Sequence, residues 1–74
     1  MATDYNGGMD ILLNGETHAV PAPCTVAQLL HHTGLAERRV AVEVNQVIVP
    51  RSRHEAHALS AGDRVEIVQA IGGG

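Results

Sequence analysis

The sequence predicts an α+β fold: a mixed five-stranded sheet with one short helix packed on one face, in the order β-β-α-β-β-β. Three observations predict it. Short segments of alternating valine, isoleucine and leucine recur along the 74 residues, as half-buried strands require. Only one stretch, after Thr25, has apolar residues at helical spacing. An Asn14-Gly15 pair separates the first two apolar segments, the strongest short hairpin signal.

Residues 1–8 (Met-Ala-Thr-Asp-Tyr-Asn-Gly-Gly) have no apolar periodicity, so a disordered extension is expected there. The fold proper is assigned to residues 9–71, and a flexible glycine tail to 72–74. Met9 to Leu13 reads as a strand, with Met9, Ile11 and Leu13 on one face. Glu16 to Val20 is its return partner. Pro21 and Pro23 end the hairpin because they cannot donate to a ladder. Thr25 is a helix N-cap, and Gln28 three residues on completes a capping box. Val26, Leu29, Leu30 and Thr33 form one stripe of about two turns. Gly34 suits the left-handed position after the helix, with Leu35 folding back on Leu30.

Val40 to Val44 alternates as a strand, Asn45-Gln46 turns, and Val47 to Val49 is a short strand ended by Pro50. Residues 51–58 are polar and predict an irregular crossing with a helical turn, with Leu59 plugging the core beneath. Ala61-Gly62-Asp63 turns tightly into the last strand, Arg64 to Gln69 or a little beyond. One helix covers one face of such a sheet. The first and last strands then meet in its middle as parallel neighbours.

Composition narrows the function. A chain this short buries only about 60% of its unfolded surface. Apolar residues make up 45%, but Tyr5 is the single aromatic ring, so the core must be aliphatic. A core plus a deep substrate pocket does not fit, which argues against a self-sufficient enzyme. The formal net charge is −3, and the five positive charges are scattered arginines, so a basic nucleic-acid face is not expected. The lone Cys24 excludes an internal disulfide and suits a reducing compartment. No apolar run reaches membrane-span length and no signal-peptide pattern appears, so a cytoplasmic location is expected.

The sequence ends Val65-Glu66-Ile67-Val68-Gln69-Ala70-Ile71-Gly72-Gly73-Gly74. A β-branched strand leads into three residues without a Cβ, and such a tip can pass a slot that any side chain would block. The one functional group at its end is the α-carboxylate of Gly74. Damage from alanine is expected to be severe at Gly74 and Gly73 and mild at Gly72.

The element order resembles the ubiquitin-like β-grasp fold. From Met9 onward the chain resembles the ThiS family of sulfur carriers in thiamine-thiazole synthesis. The resemblance rests on Met9-Asp10-Ile11-Leu12-Leu13-Asn14-Gly15, Thr25-Val26-Ala27-Gln28-Leu29-Leu30, and Val40-Ala41-Val42-Glu43-Val44-Asn45. Ile48-Val49-Pro50-Arg51, Gly62-Asp63-Arg64-Val65-Glu66-Ile67 and the Gly73-Gly74 end complete it. The Asn45-x-x-Ile48-Val49-Pro50-Arg51 stretch separates this family from other β-grasp carriers. The N-terminal extension and the third glycine, Gly72, depart from the pattern.

The resemblance implies that the Gly74 carboxylate is adenylated by an E1-like (ThiF-type) adenylyltransferase using ATP. A persulfide enzyme then supplies sulfur, giving a thiocarboxylate, and a ThiG-type thiazole synthase consumes it. The chain would bind no cofactor, would be a carrier and not a catalyst, and is expected to be a monomer when free. Two neighbouring readings share the tail: a ubiquitin-like protein modifier and a molybdopterin-type sulfur carrier. A third, a passive β-grasp interaction or RNA-binding domain, fits the acidic balance poorly.

Other residues have plainer readings. Cys24 precedes a helix N-terminus, where a thiol pKa can fall, but a small half-buried apolar residue is the simpler expectation. His31 and His32 point about 100° apart and cannot share a metal. His54 and His57 could face one way but lack a third ligand, so no metal site and solvated histidines are expected. Leu12 and Val68, on the face away from the helix, are expected to form a small apolar patch on neighbouring strands. With Ile71 they are the candidate partner-docking residues.

Overall fold

The fold is that of a computed structural model, and residues 8–69 are described. The expectations for residues 1–7 and for Ile71, Gly72, Gly73 and Gly74 lie outside them. The elements are β1 (Gly8–Leu13), β2 (Glu16–Pro21), α1 (Val26–His32), β3 (Val40–Val44), β4 (Val47–Val49), a 3-10 turn (Arg51–Arg53) and β5 (Arg64–Gln69). The five strands form one mixed sheet in the spatial order β2-β1-β5-β3-β4. β1 and β5 run parallel, as expected, and the other neighbours are antiparallel. Strand β1 begins one residue earlier than the assigned boundary, since Gly8 lies opposite Pro21.

Each local signal acts as its chemistry requires. Asn14 and Gly15 take φ of 50° and 87°, the two left-handed positions of a type I′ turn. The N-cap Thr25 Oγ1 accepts from the Gln28 N–H at 3.1 Å, and Gln28 Oε1 accepts from the Thr25 N–H at 2.8 Å. At the other end Gly34 is left-handed, φ +79°. The Leu35 N–H bonds the Leu30 carbonyl and the Gly34 N–H bonds that of His31, the paired bonds of a Schellman stop. Seven residues would not hold a helix alone. The core holds it: Val26, Leu29 and Leu30 are buried against Ile11, Val42, Val65, Ile67 and Leu59.

The crossing from β4 to β5 also serves the helix. The carbonyls of His57 and His54 accept the N–H groups of Val26 and Ala27, both unpaired at a bare helix start. Leu59 is buried, as expected, and its N–H bonds the Cys24 carbonyl. His54 corrects the expectation of solvated histidines. It is the one buried polar side chain among the described residues, 7% exposed, and its Nε2–H donates to the Val49 carbonyl at 3.1 Å. The bond ties the 3-10 turn to the end of β4, and a solvated ring could not make that tie. No helix of the described residues is long and apolar enough to cross a membrane.

Candidate functional site

The candidate site is built on β5, because the glycines follow it in sequence after Ala70 and Ile71. Val65 and Ile67 of this strand point into the core, and Glu66 and Val68 point away from the helix. β5 is the middle strand, so it is held from both sides. On one side β3 pairs with it from Val65, opposite Val44, to Gln69, opposite Val40. On the other side β1 pairs only with its start, Leu12 opposite Arg64 and Leu13 opposite Val65.

Asn14 takes over where β1 stops. Its N–H donates to the Val65 carbonyl at 2.8 Å, the last rung of the parallel ladder. Its carboxamide then reaches Ile67: Oδ1 accepts from the Ile67 N–H at 2.9 Å and Nδ2 donates to the Ile67 carbonyl at 3.3 Å. One side chain thus stands in for a missing strand residue. Asn45, in the second hairpin turn, holds the other end. Its N–H donates to the Arg64 carbonyl at 2.7 Å, its Oδ1 accepts from the Arg64 N–H at 3.0 Å, and its Nδ2 donates to Asp63 Oδ1 at 3.0 Å. Asp63 Oδ2 in turn accepts from the Ser60 N–H.

In the sequence both asparagines read as turn residues, with no sign of the bonds their side chains make to β5. The available signal was that each turn has asparagine, not aspartate or glycine, at its first position. A carboxamide alone among these offers a donor and an acceptor to a facing peptide group.

The expected Leu12–Val68 patch needs correction. Both residues are on the face away from the helix, as strand parity predicts. Leu12, however, is level with Arg64, and Val68 lies four residues further along, about 13 Å at strand rise. The first hairpin turns back at Asn14 while β5 still has four residues to run, so the two are not neighbours. Val68, 61% exposed, lies opposite Ala41 instead.

Cys24 packs as the small apolar residue expected, but it is fully buried instead of half-buried, and burial pushes its thiol pKa up. A buried, protonated thiol is a poor nucleophile, so Cys24 packs the core and is no relay for sulfur. His31 and His32 are exposed on the last turn of α1. Among the described residues no three histidine, cysteine, aspartate or glutamate side chains converge as a metal site would need.

Comparison with known proteins joins this geometry to a family. A model of the ThiS family matches residues 5–74. A thiazole synthase of Paramagnetospirillum magneticum is 46% identical over 66 residues; the match covers 89% of this chain, which spans only 20% of that protein's length. The sulfur carrier protein ThiS of Escherichia coli is 35% identical over 66 residues, 89% of this chain and 100% of that one. Among solved structures, the thiamine biosynthesis protein ThiS of Geobacter metallireducens superposes with a TM-score of 0.77 at 30% identity, covering 89% of this chain and 100% of that one.

Proposed function

The chain belongs to the ThiS family of sulfur carriers in thiamine biosynthesis, and from that premise we propose that it carries sulfur on the carboxyl group of Gly74. A carboxylate is a poor electrophile and must first gain a leaving group. A carboxylate oxygen attacks the α-phosphorus of ATP on an E1-like adenylyltransferase, and pyrophosphate leaves. A persulfide sulfur then attacks the carbonyl carbon of the acyl adenylate, and AMP leaves. Reduction of the resulting S–S bond by a thiol frees the thiocarboxylate. The groups that catalyse these steps belong to the partners, and this chain is their shared substrate.

One observation carries the reading: the family match runs through the C-terminal glycines, to residue 74. The likeness to a thiazole synthase supports such an enzyme as the sulfur acceptor. Gly73 and Gly72 serve as the slim neck behind the reacting carbon.

Intact-mass measurement after incubation with ATP, the adenylating enzyme, a persulfide donor and a thiol reductant tests this. The expected mass change is that of one oxygen replaced by sulfur. Appending one residue after Gly74 moves the terminal carboxyl group by about 3.5 Å and is expected to abolish the change. Full loading of the untrimmed extended chain, or conjugates to lysines of other proteins in place of loading, would overturn the proposal.

A further inference from the structure

The first hairpin turn places a reactive pair of residues under a clamp. Asn14 is followed by Gly15. In such a pair the backbone nitrogen after the asparagine can attack that asparagine's own carboxamide carbon. Glycine favours the attack, because no Cβ crowds its nitrogen. Both residues are exposed. The Gly15 N–H donates to no backbone group among the described residues, and the space where its Cβ would stand is empty to 4 Å. The nitrogen is therefore unengaged and open to water.

The carboxamide is held. Its Oδ1 accepts from the Ile67 N–H at 2.9 Å and its Nδ2 donates to the Ile67 carbonyl at 3.3 Å, in a partly buried place. While these bonds last, the carboxamide lies against β5 and its carbon cannot turn to the Gly15 nitrogen. The Asn14 N–H also donates to the Val65 carbonyl at 2.8 Å, which fixes the backbone at φ 50°. Asn45 lacks the combination, since Gln46 follows it and sets a Cβ beside the nitrogen.

We propose that Asn14-Gly15 is a site of spontaneous deamidation gated by the Ile67 clamp, so that the reaction proceeds only from a state in which the end of β5 is released. With the clamp open, the Gly15 nitrogen bonds to Asn14 Cγ and gives up its proton. The Cγ–Nδ2 bond breaks, and ammonia leaves with that proton. The five-membered imide then takes up one water, which opens it at either carbonyl to aspartate or isoaspartate. No other reactant is needed. The product cannot restore the clamp. A carboxylate has only acceptors, so one oxygen can still take the Ile67 N–H while the other faces the Ile67 carbonyl, oxygen against oxygen. Isoaspartate also lengthens the backbone at the turn by one methylene and ends its type I′ geometry. The reaction thus destroys the contact that slows it, and β5 loses its support at Ile67, seven residues before Gly74. The inference does not depend on the carrier reading.

The test incubates the full chain in warm, mildly alkaline buffer, folded and in concentrated urea. Peptide mass mapping and isoaspartate-specific methylation follow the products at residue 14, and hydrogen exchange of the Ile67 amide is read in matched buffer. Deamidation at Asn14 is expected to be at least about tenfold slower in the folded chain than in concentrated urea. In concentrated urea Asn14 should react faster than Asn45. Urea below the unfolding transition should speed the folded reaction in step with Ile67 exchange, because both need the same opening. Asn14→Asp should cut the protection of the Ile67 amide about tenfold while the Arg64 amide keeps its own. Equal rates in folded and unfolded chain would overturn the gate, as would acceleration by urea without faster Ile67 exchange. Reaction at Asn14 no faster than at Asn45 in concentrated urea would overturn the site itself. Full Ile67 protection in Asn14→Asp would overturn the effect assigned to the product.

Discussion

The two hairpins turn alike and hold the same strand, yet they do unequal work. Asn14 and Gly15 have φ of 50° and 87°; Asn45 and Gln46 have 54° and 72°. Each asparagine spends its carboxamide on β5. Asn45 works where other support is close, at the start of the strand, where β1 pairs with β5 and the Asp63 side chain shares the load. Its bonds are exposed. Asn14 works where β1 has ended, and its bonds to Ile67 are partly buried. The same chemistry therefore matters more at the end of β5 that leads to the glycines.

The widest gap between the turns should appear on changing each asparagine to alanine. Both changes remove the short polar side chain that eases asparagine into a left-handed backbone, at a cost of up to about 1 kcal/mol. Asn14→Ala also strips the Ile67 N–H and carbonyl of partners in a partly buried place, for a total of about 2–3 kcal/mol. Asn45→Ala leaves groups that water can reach, and should cost about half as much. Urea unfolding of the two variants measures this, and equal losses would break the comparison.

Glycine in place of each asparagine sharpens it, because glycine takes the left-handed backbone freely and only the carboxamide is lost. Asn14→Gly is expected to cost about 1–2 kcal/mol and Asn45→Gly about 0.5 kcal/mol. Hydrogen exchange separates them further. The Ile67 amide should lose protection in Asn14→Gly while the Arg64 amide keeps its own, and the reverse should hold in Asn45→Gly.

These contrasts mark how far the sequence could be read. Every strand, the helix, both of its caps and the parallel β1–β5 pairing were legible, because each depends on near neighbours in the chain: alternation, a capping box, Gly34 at a stop. The face each strand residue takes was legible for the same reason. What escaped depends on register between distant segments. The distance from Leu12 to Val68 and the reach of Asn14 to Ile67 both follow from where β1 stops relative to β5. No local pattern states that length difference. The burial of His54 escaped likewise, since it depends on the 3-10 turn folding under β4. The three glycines after a β-branched run are plain in the residue order, and they lie outside the described residues.

The smallest expected effect concerns the second residue of each turn, where the hairpins differ in kind. The first has glycine, and the second has Gln46 at φ 72°, a conformation that a residue with a Cβ adopts at a cost. A Cβ built on Gly15 meets nothing within 4 Å, so any cost there is backbone strain and not a clash. The reciprocal swap should therefore give opposite signs. Gly15→Gln should destabilise, since the left-handed penalty of about 1 kcal/mol outweighs the smaller unfolded-state entropy of glutamine. Gln46→Gly removes the same strain but makes the unfolded chain more flexible, and should stabilise by about 0.5 kcal/mol. Thermal unfolding of the two single variants and of the swapped double variant checks it. If the double variant departs from the sum of the singles, the turns communicate through β5; additivity means that each turn is a local device and only the asparagines reach the strand.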